Sequence, residues 1–300
     1  MRCQRLGMPP AVWLVCIVLG LPCLVTAADR LTVYVVNYPL KYFAERIAGA
    51  HATVVLPAPP DVDPAFWMPD TDTIAAYQRA DLILLNGAHY AHWLRKVSLP
   101  TFRLVDTSSG FQDRYIPIAD RVTHTHGPTG EHTHTDVAFT TWLDFDLAAR
   151  QAKAIADALS RRRPELRETF QRQYAALAQD LMALDQAIKA LVATQQQRLI
   201  ASHPVYDYLA RRYSLSIKSV HWEPGVMPDA EQWVALQALR QTHPARWMIW
   251  ERQPIAIIAA KLKTMGIESL VFDPCANAPA QGNFLSVMRQ NVENLKLAFQ

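Results

Sequence analysis

Residues 146–197 contain no glycine and a single proline, Pro164, and are rich in Ala, Leu, Gln and Arg. Within them Phe170, Tyr174, Leu177, Leu181, Leu184, Ile188 and Leu191 follow one another in steps of four and three, which keeps all seven on one helical face. The spacing predicts a continuous helix from Glu165 to Thr194, a rod of roughly 45 Å at 1.5 Å per residue. A rod of that length in mid-chain obliges everything before and after it to pack along it. It reads as a strut between two lobes; an isolated coiled coil is the other use of the same spacing. A rigid helical connector also argues against large hinge closure.

Both flanks carry one grammar. Leu31-Thr-Val-Tyr-Val-Val36 is a β-branched apolar strand, Tyr38–Ala50 an amphipathic helix, Thr53–Leu56 a strand, Thr71–Arg79 a helix, and 81–87 a buried strand ending in the turn Asn86-Gly87. After residue 198 strands at 198–202, 216–221, 247–250 and 269–273 alternate with helices at 205–213, 228–242, 254–265 and 282–298. Short apolar strands alternating with helices build parallel sheets through βαβ units. The expected fold is α/β: two lobes, each a mostly parallel sheet flanked by helices, bridged by the long rigid helix. The expected organisation is a leader at 1–27, an N-terminal lobe at 28–145, a helical connector at 146–197 and a C-terminal lobe at 198–300.

The leader reads as a cleavable secretory signal. Arg2 and Arg5 precede an apolar run, Ala11–Leu24, and Val25-Thr26-Ala27 offers small residues for cleavage. The run is short for a bilayer span of about 20 residues; the lipoprotein alternative wants a small residue before Cys23, where Pro22 stands. Setting aside a leader that holds two arginines and no acid leaves 28 basic against 27 acidic residues. Such a balance gives no support to a nucleic-acid or anionic-membrane partner. Three of the four cysteines lie in the leader, so Cys275 alone remains and forms no internal disulfide. The expected product is a periplasmic, soluble monomer.

Histidine is the residue that points to chemistry. Thr123-His-Thr-His-Gly-Pro-Thr-Gly-Glu-His-Thr-His-Thr135 holds His124, His126, His132 and His134, four of the ten histidines. Alternation puts each pair on one side of an extended backbone, and Gly127, Pro128 and Gly130 permit a turn between the pairs. Neutral imidazoles suit zinc and borderline cations such as copper and nickel; a solvated loop with idle histidines is the plain alternative. His203 and Asp273 each follow a predicted strand at the edge where α/β sheets collect ligands, and together they make half a zinc site. His89 and His92, three apart, are expected on one helical face; His221, Glu223 and Glu251 follow strand ends and read as crevice walls or supporting groups. A Gly-x-Ser-x-Gly elbow, a Gly-rich phosphate loop and His-Glu-x-x-His are all absent from the sequence, which removes the common enzyme readings.

Taken in order, Leu31-Thr-Val-Tyr-Val-Val-Asn37, Pro60-Asp-Val-Asp-Pro64 with Pro69, Ala80-Asp-Leu-Ile-Leu-Leu-Asn-Gly87, Trp142-Leu-Asp144, Ser202-His203-Pro-Val-Tyr-Asp-Tyr208, Glu223-Pro-Gly and Phe272-Asp273-Pro274 resemble the ZnuA-like periplasmic solute-binding proteins of zinc and manganese ABC importers. The resemblance runs over essentially the whole chain beyond the leader. It implies two α/β lobes joined by a long helix, a metal held between them, a membrane permease as partner and no enzymatic activity. It also implies that His203 and Asp273 are ligands. The other two ligand positions of that family are occupied here by Ala65 and Thr140.

A divalent cation on one imidazole and one carboxylate lacks donors, since zinc takes four at near-tetrahedral positions. The expectation carried forward is that His124, His126, His132 or His134 supplies the missing nitrogens to a zinc ion or related divalent metal. Asp61, Asp63 or the His89/His92 pair is a second source. A third reading has Phe66, Trp67 and Trp142 lining a pocket for a chelated or non-metal solute. A periplasmic metal chaperone is the alternative outside import.

Overall fold

The computed structural model of the chain describes residues 30–60, 62–118, 137–193 and 195–300, together with the backbone of 123–125 and 131–133. The leader 1–27, Asp61, His126 and His134, and the side chains of His124 and His132, lie outside the described residues.

The N-terminal lobe is built from β1 (Leu31–Val35), α1 (Tyr38–Ala48), β2 (Ala52–Val55), α2 (Thr71–Arg79), β3 (Leu82–Leu85) and β4 (Leu104–Asp106), forming a parallel sheet in the order β2-β1-β3-β4. A short antiparallel pair follows, β5 (Thr123–Thr125) and β6 (Glu131–Thr133), whose register sets His124 opposite His132. Two helices come next, α3 (Phe145–Arg162) and α4 (Arg167–Val192). The C-terminal lobe holds β7 (Arg198–Ala201), α5 (Asp207–Tyr213), β8 (Ser216–Ser219), α6 (Ala230–Thr242), β9 (Trp247–Trp250), α7 (Ala256–Thr264), β10 (Glu268–Val271) and α8 (Phe284–Phe299), with a parallel sheet in the order β10-β9-β7-β8. Read from its other edge, this is the N-terminal order again, with β7, β8, β9 and β10 in the places of β1, β2, β3 and β4.

The expected two-lobed α/β architecture is the one observed, with one adjustment to the strut. Pro164 opens a 3₁₀ turn over Pro164–Leu166, and α4 then runs for 26 residues, about 39 Å. Proline belongs there because a helix start has no use for its missing N–H. Phe170, Leu177, Leu181, Leu184 and Ile188 are buried, and α4 packs against α3, α1 and α8. The strut is therefore core of both lobes, not an isolated coiled coil.

One apolar cluster runs through both lobes, from Val33 and Phe43 through Trp142 and Phe170 to Phe272 and Leu295. A second, with Ile200, Met248, Trp250, Trp222 and Trp233, fills the other face of the C-terminal sheet. Alternate residues of one strand divide between them: Leu199 and Ala201 enter the first cluster and Ile200 the second, as a period of two requires. Direct hydrogen bonds close the seam between lobes. Trp142 Nε1 donates to Pro274 O at 2.8 Å, Thr140 Oγ1 to Val205 O at 2.6 Å, Tyr38 N to Ala276 O at 2.9 Å, and Tyr208 OH to Ala138 O at 3.0 Å. Among the described residues no helix is long and apolar enough to cross a membrane.

Candidate metal site at the seam

The C-terminal ends of the C-terminal lobe's strands face the seam, and each of β7, β8, β9 and β10 is followed within two residues by a histidine or carboxylate. His203 comes after β7, His221 after β8, Glu251 after β9 and Asp273 after β10. The ladder continues past the strand ends and holds these segments side by side: Ser202 N bonds to Ile249 O at 2.8 Å, Trp222 N to Ser202 O at 2.8 Å and Phe272 N to Trp250 O at 2.8 Å. His203 sits in a tight turn closed by Val205 N to its own carbonyl at 2.9 Å and is 6% exposed. Its Nδ1 lies 3.7 Å from Glu251 Oε1 and 3.9 Å from Glu223 Oε1, and its ring centroid is 5.8 Å from that of His221.

Asp273 is held from both sides. Its backbone N–H donates to Asn291 Oδ1 at 3.0 Å, Asn291 Nδ2 donates back to its carbonyl at 2.7 Å, and Cys275 N donates to its carboxylate at 2.7 Å. Burial raises its pKa above the usual carboxylate range, against the opposing Cys275 N–H and the charge of Arg252. A desolvated carboxylate of this kind favours an arriving cation. Tyr206, fully buried with its hydroxyl on Phe272 O at 2.8 Å, is pushed up first by burial and then by the charges of both Glu251 and Asp273.

Across the seam the two other positions are sealed. Ala65 is fully buried, with its N–H on Asp63 Oδ1 at 2.9 Å, and Thr140 is 4% exposed. Phe66, Phe139 and Tyr90 pack beside them in edge-to-face contacts, and His92 joins that group, 4.8 Å from Phe66 and 6.4 Å from Phe139 between centroids. Trp142 is fully buried in the seam. The expected helical pairing of His89 and His92 does not occur. Gly87, Ala88 and His89 all take left-handed backbone angles, which turns the chain sharply and leaves His89 exposed, and His92 opens a separate 3₁₀ turn. Gly87 is required there: a side chain would strike the Ser108 hydroxyl. Cys275 is buried and its thiol is pushed well up by burial, as suits an inert packing residue. Among the described residues no group of three or more His, Cys, Asp or Glu side chains that could hold a metal ion is found.

The architecture is two parallel-sheet lobes joined at a seam, with His203, His221, Glu251 and Asp273 just beyond the strand ends of the C-terminal lobe. Residues 33–298 match the family described as ZnuA, zinc-uptake complex component A, periplasmic, and the chain belongs to that family. It is 27% identical over 286 residues to the zinc-binding lipoprotein AdcA of Streptococcus pneumoniae, a match covering 90% of this chain and 56% of that one. It is 23% identical over 286 residues to the high-affinity zinc uptake system protein ZnuA of Bacillus subtilis, covering 89% and 87%. The chain thus spans little more than half the length of the AdcA relatives it matches. Among solved structures, the Zn(II)-bound ZnuA-like domain of S. pneumoniae AdcA superposes with a TM-score of 0.76 at 22% identity, over 90% of this chain and 99% of that one.

Sequence reading singled out His203 and Asp273 and expected them at the ends of neighbouring strands, but β9 lies between β7 and β10, so those two strands are not adjacent. It read His221 and Glu251 as crevice walls or supporting groups. Each lies one or two residues beyond a strand, but only β9 is a buried apolar run, and strand order is needed to see that β8 and β9 both flank β7.

Proposed function

We propose that the chain captures zinc, or a related divalent metal ion, at the seam and hands it to the permease of an ABC importer, with His203 and Asp273 as ligands. It works in the periplasm as a monomer after loss of the 1–27 leader, with 28–145 and 198–300 as the lobes and 146–197 as the connector. The work is capture and release, with no bond made or broken. The observation that carries this reading is His203, buried at the seam with two carboxylates within 4 Å of one ring nitrogen. An imidazole and carboxylates gathered at one strand edge suit a borderline divalent cation. Relatives named for zinc binding and zinc uptake support zinc as the ion.

Titration of metal-free protein with zinc tests it. One ion per chain is expected, with a thermal stabilisation of about 2.7 kcal/mol when free zinc stands at about a hundred times Kd. His203→Ala should weaken binding by about a hundredfold or more, beyond the usual cost of losing a supporting group. A melting temperature indifferent to zinc, manganese, cobalt, nickel and copper would remove the metal and leave a chelate or an organic solute.

A further inference from the structure

We infer that Asn291 of α8 is the positioning residue for Asp273: its two hydrogen bonds to that residue's backbone set where the carboxylate stands and, through it, how tightly the seam holds its ion. This rests on the proposed metal capture and deepens it, since Asn291 acts on the ion without touching it.

Beyond β10 the chain leaves the sheet, and a carboxylate on such a segment has no strand ladder to fix it. Side chains take over that task. Phe272 O accepts from Tyr206 OH at 2.8 Å, Asp273 O from Asn291 Nδ2 at 2.7 Å and Pro274 O from Trp142 Nε1 at 2.8 Å, so three successive carbonyls are held by three separate parts of the chain. Asn291 is the one of the three that also reaches a backbone donor, since Asp273 N–H bonds to its Oδ1 at 3.0 Å. One amide therefore pairs both backbone groups of the ligand residue and fixes its place in distance and direction. Within the turn, Cys275 N–H bonds to Asp273 Oδ1 at 2.7 Å, which sets the rotation of the carboxylate, and Pro274 locks its own φ. The other carboxylate oxygen, Oδ2, makes no hydrogen bond among the described residues.

The helix itself points the same way. Asparagine is a poor residue for a helix interior, and its amide is costly to bury unless bonded, yet Asn291 is 2% exposed in the middle of the 16-residue α8. An apolar residue of similar size would fill the space and leave the Asp273 N–H and C=O without partners. Because α8 packs against α4 and α1, the amide carries the rigidity of the strut to the ligand. Asn294, one turn further on, bonds Val271 O at 2.9 Å, inside β10. It makes the natural comparison: same helix, same strand, no bond to Asp273.

Zinc competition titrations and stopped-flow zinc release on the full chain decide the matter, through a double-mutant cycle of Asn291→Ala with Asp273→Ala. Asn291→Ala should weaken zinc binding about tenfold or more, the usual effect of removing a group that orients a ligand, and the loss should appear as faster release. In the Asp273→Ala background the same change should cost less than about twofold, because Asn291 then has no ligand left to place. Asn294→Ala should cost less than about threefold. Asn291→Leu, which fills the space and makes neither bond, replaces the alanine variant should that one not fold, with the same expectation. Affinity within about threefold of wild type for Asn291→Ala overturns the inference. So does an equal loss in both backgrounds, the mark of a role in the fold alone, or a tenfold loss for Asn294→Ala. All three results leave zinc capture standing. A wild-type chain that takes up no zinc, or an Asp273→Ala variant that binds it as tightly as wild type, defeats the proposed function and the inference together.

Discussion

The two lobes repeat one strand order, and the residues at matched strand ends differ in kind. Two residues beyond β1 stands Asn37, and two beyond β7 stands His203; one beyond β3 stands Asn86, and one beyond β9 stands Glu251. In the N-terminal lobe the matched pair is a finished hydrogen bond, Asn37 Nδ2 to Asn86 Oδ1 at 3.1 Å. Gln151 of α3 joins it, donating to Asn86 Oδ1 at 3.2 Å and to Thr107 Oγ1 at 3.0 Å, and Asn86 Nδ2 holds the Phe139 carbonyl at 2.9 Å. These amides are buried and mutually satisfied, which fixes a rigid edge. In the C-terminal lobe the matched pair is an imidazole and a carboxylate 3.7 Å apart. One sheet edge is therefore knitted together by amides, while its counterpart carries an imidazole and a carboxylate. A binding site divided evenly between lobes needs both to move or to be equally furnished; these two edges are furnished differently.

The sharpest way to break that division is to remove the scaffold's grip on the donor edge. Trp142 is fully buried and its indole N–H reaches Pro274 O, next to Asp273. Trp142→Ala should cost about 3–5 kcal/mol through lost packing and the cavity left behind, read as a lower urea midpoint. It should weaken zinc binding too, because Asp273 loses the neighbour that fixes its turn. Full stability after this change would show that the lobes hold themselves together elsewhere.

A second contact tests whether seam and donor edge are separable. Asp185 of α4 is fully buried and bound by Arg212 of α5 at 2.8 and 3.1 Å, by Lys189 at 2.7 Å and by Tyr213 at 3.1 Å. Burial alone would raise its pKa, but the Arg212 and Lys189 interactions outweigh that and hold it below the usual range. Asp144, which caps α3 and meets the same guanidinium only at 3.5 Å, shifts the other way because burial prevails. Asp185→Asn should destabilise the chain by about 2 kcal/mol, less than a fully enclosed pair because Arg212 and Lys189 reach solvent. A depressed folded-state pKa means the carboxylate stabilises above its unfolded value near 3.9, and this stabilisation is lost as pH falls through the folded value. The gap between wild type and variant should hold from pH 7 to about 5 and narrow below about 4. Zinc affinity at pH 7 should be unchanged, since the substitution lies on the packed side of the seam.

Much of this was legible in sequence for a physical reason: the inner strands β3, β7 and β9 are largely buried, so they read as short apolar runs between helices. The α4 stripe and the strands 31–36 and 247–250 stand out by period alone. Taken alone, His203 reads equally as a capping residue and Asp273 as the opening of a turn before Pro274; the resemblance to the family is what singled them out. The division of labour between lobes was not legible. It depends on β7 lying between β8 and β9, a pairing made by residues some 20 to 50 apart that no local pattern encodes. The 3₁₀ turn at Pro164 and the left-handed run Gly87-Ala88-His89 were hidden for the opposite reason, since single residues set them inside otherwise periodic stretches.

The smallest effect gives the most direct reading of the asymmetry. Ala65 occupies a position where the resemblance implies a ligand, and a histidine there would supply an imidazole. The site has closed over it: Ala65 is fully buried, its N–H is held by Asp63, and its carbonyl accepts the His92 N–H at 3.2 Å. Phe66 and His92 pack edge to face beside it at 4.8 Å. An added imidazole must displace that packing, so Ala65→His should cost about 1–2 kcal/mol by overpacking and raise zinc affinity by less than about threefold. The measurement is a urea midpoint paired with a zinc competition titration on the same sample. A variant as stable as wild type that binds zinc about tenfold more tightly would mean that the N-terminal edge is a half-site awaiting one residue, and the contrast between lobes would then be one of sequence drift with no structural commitment behind it.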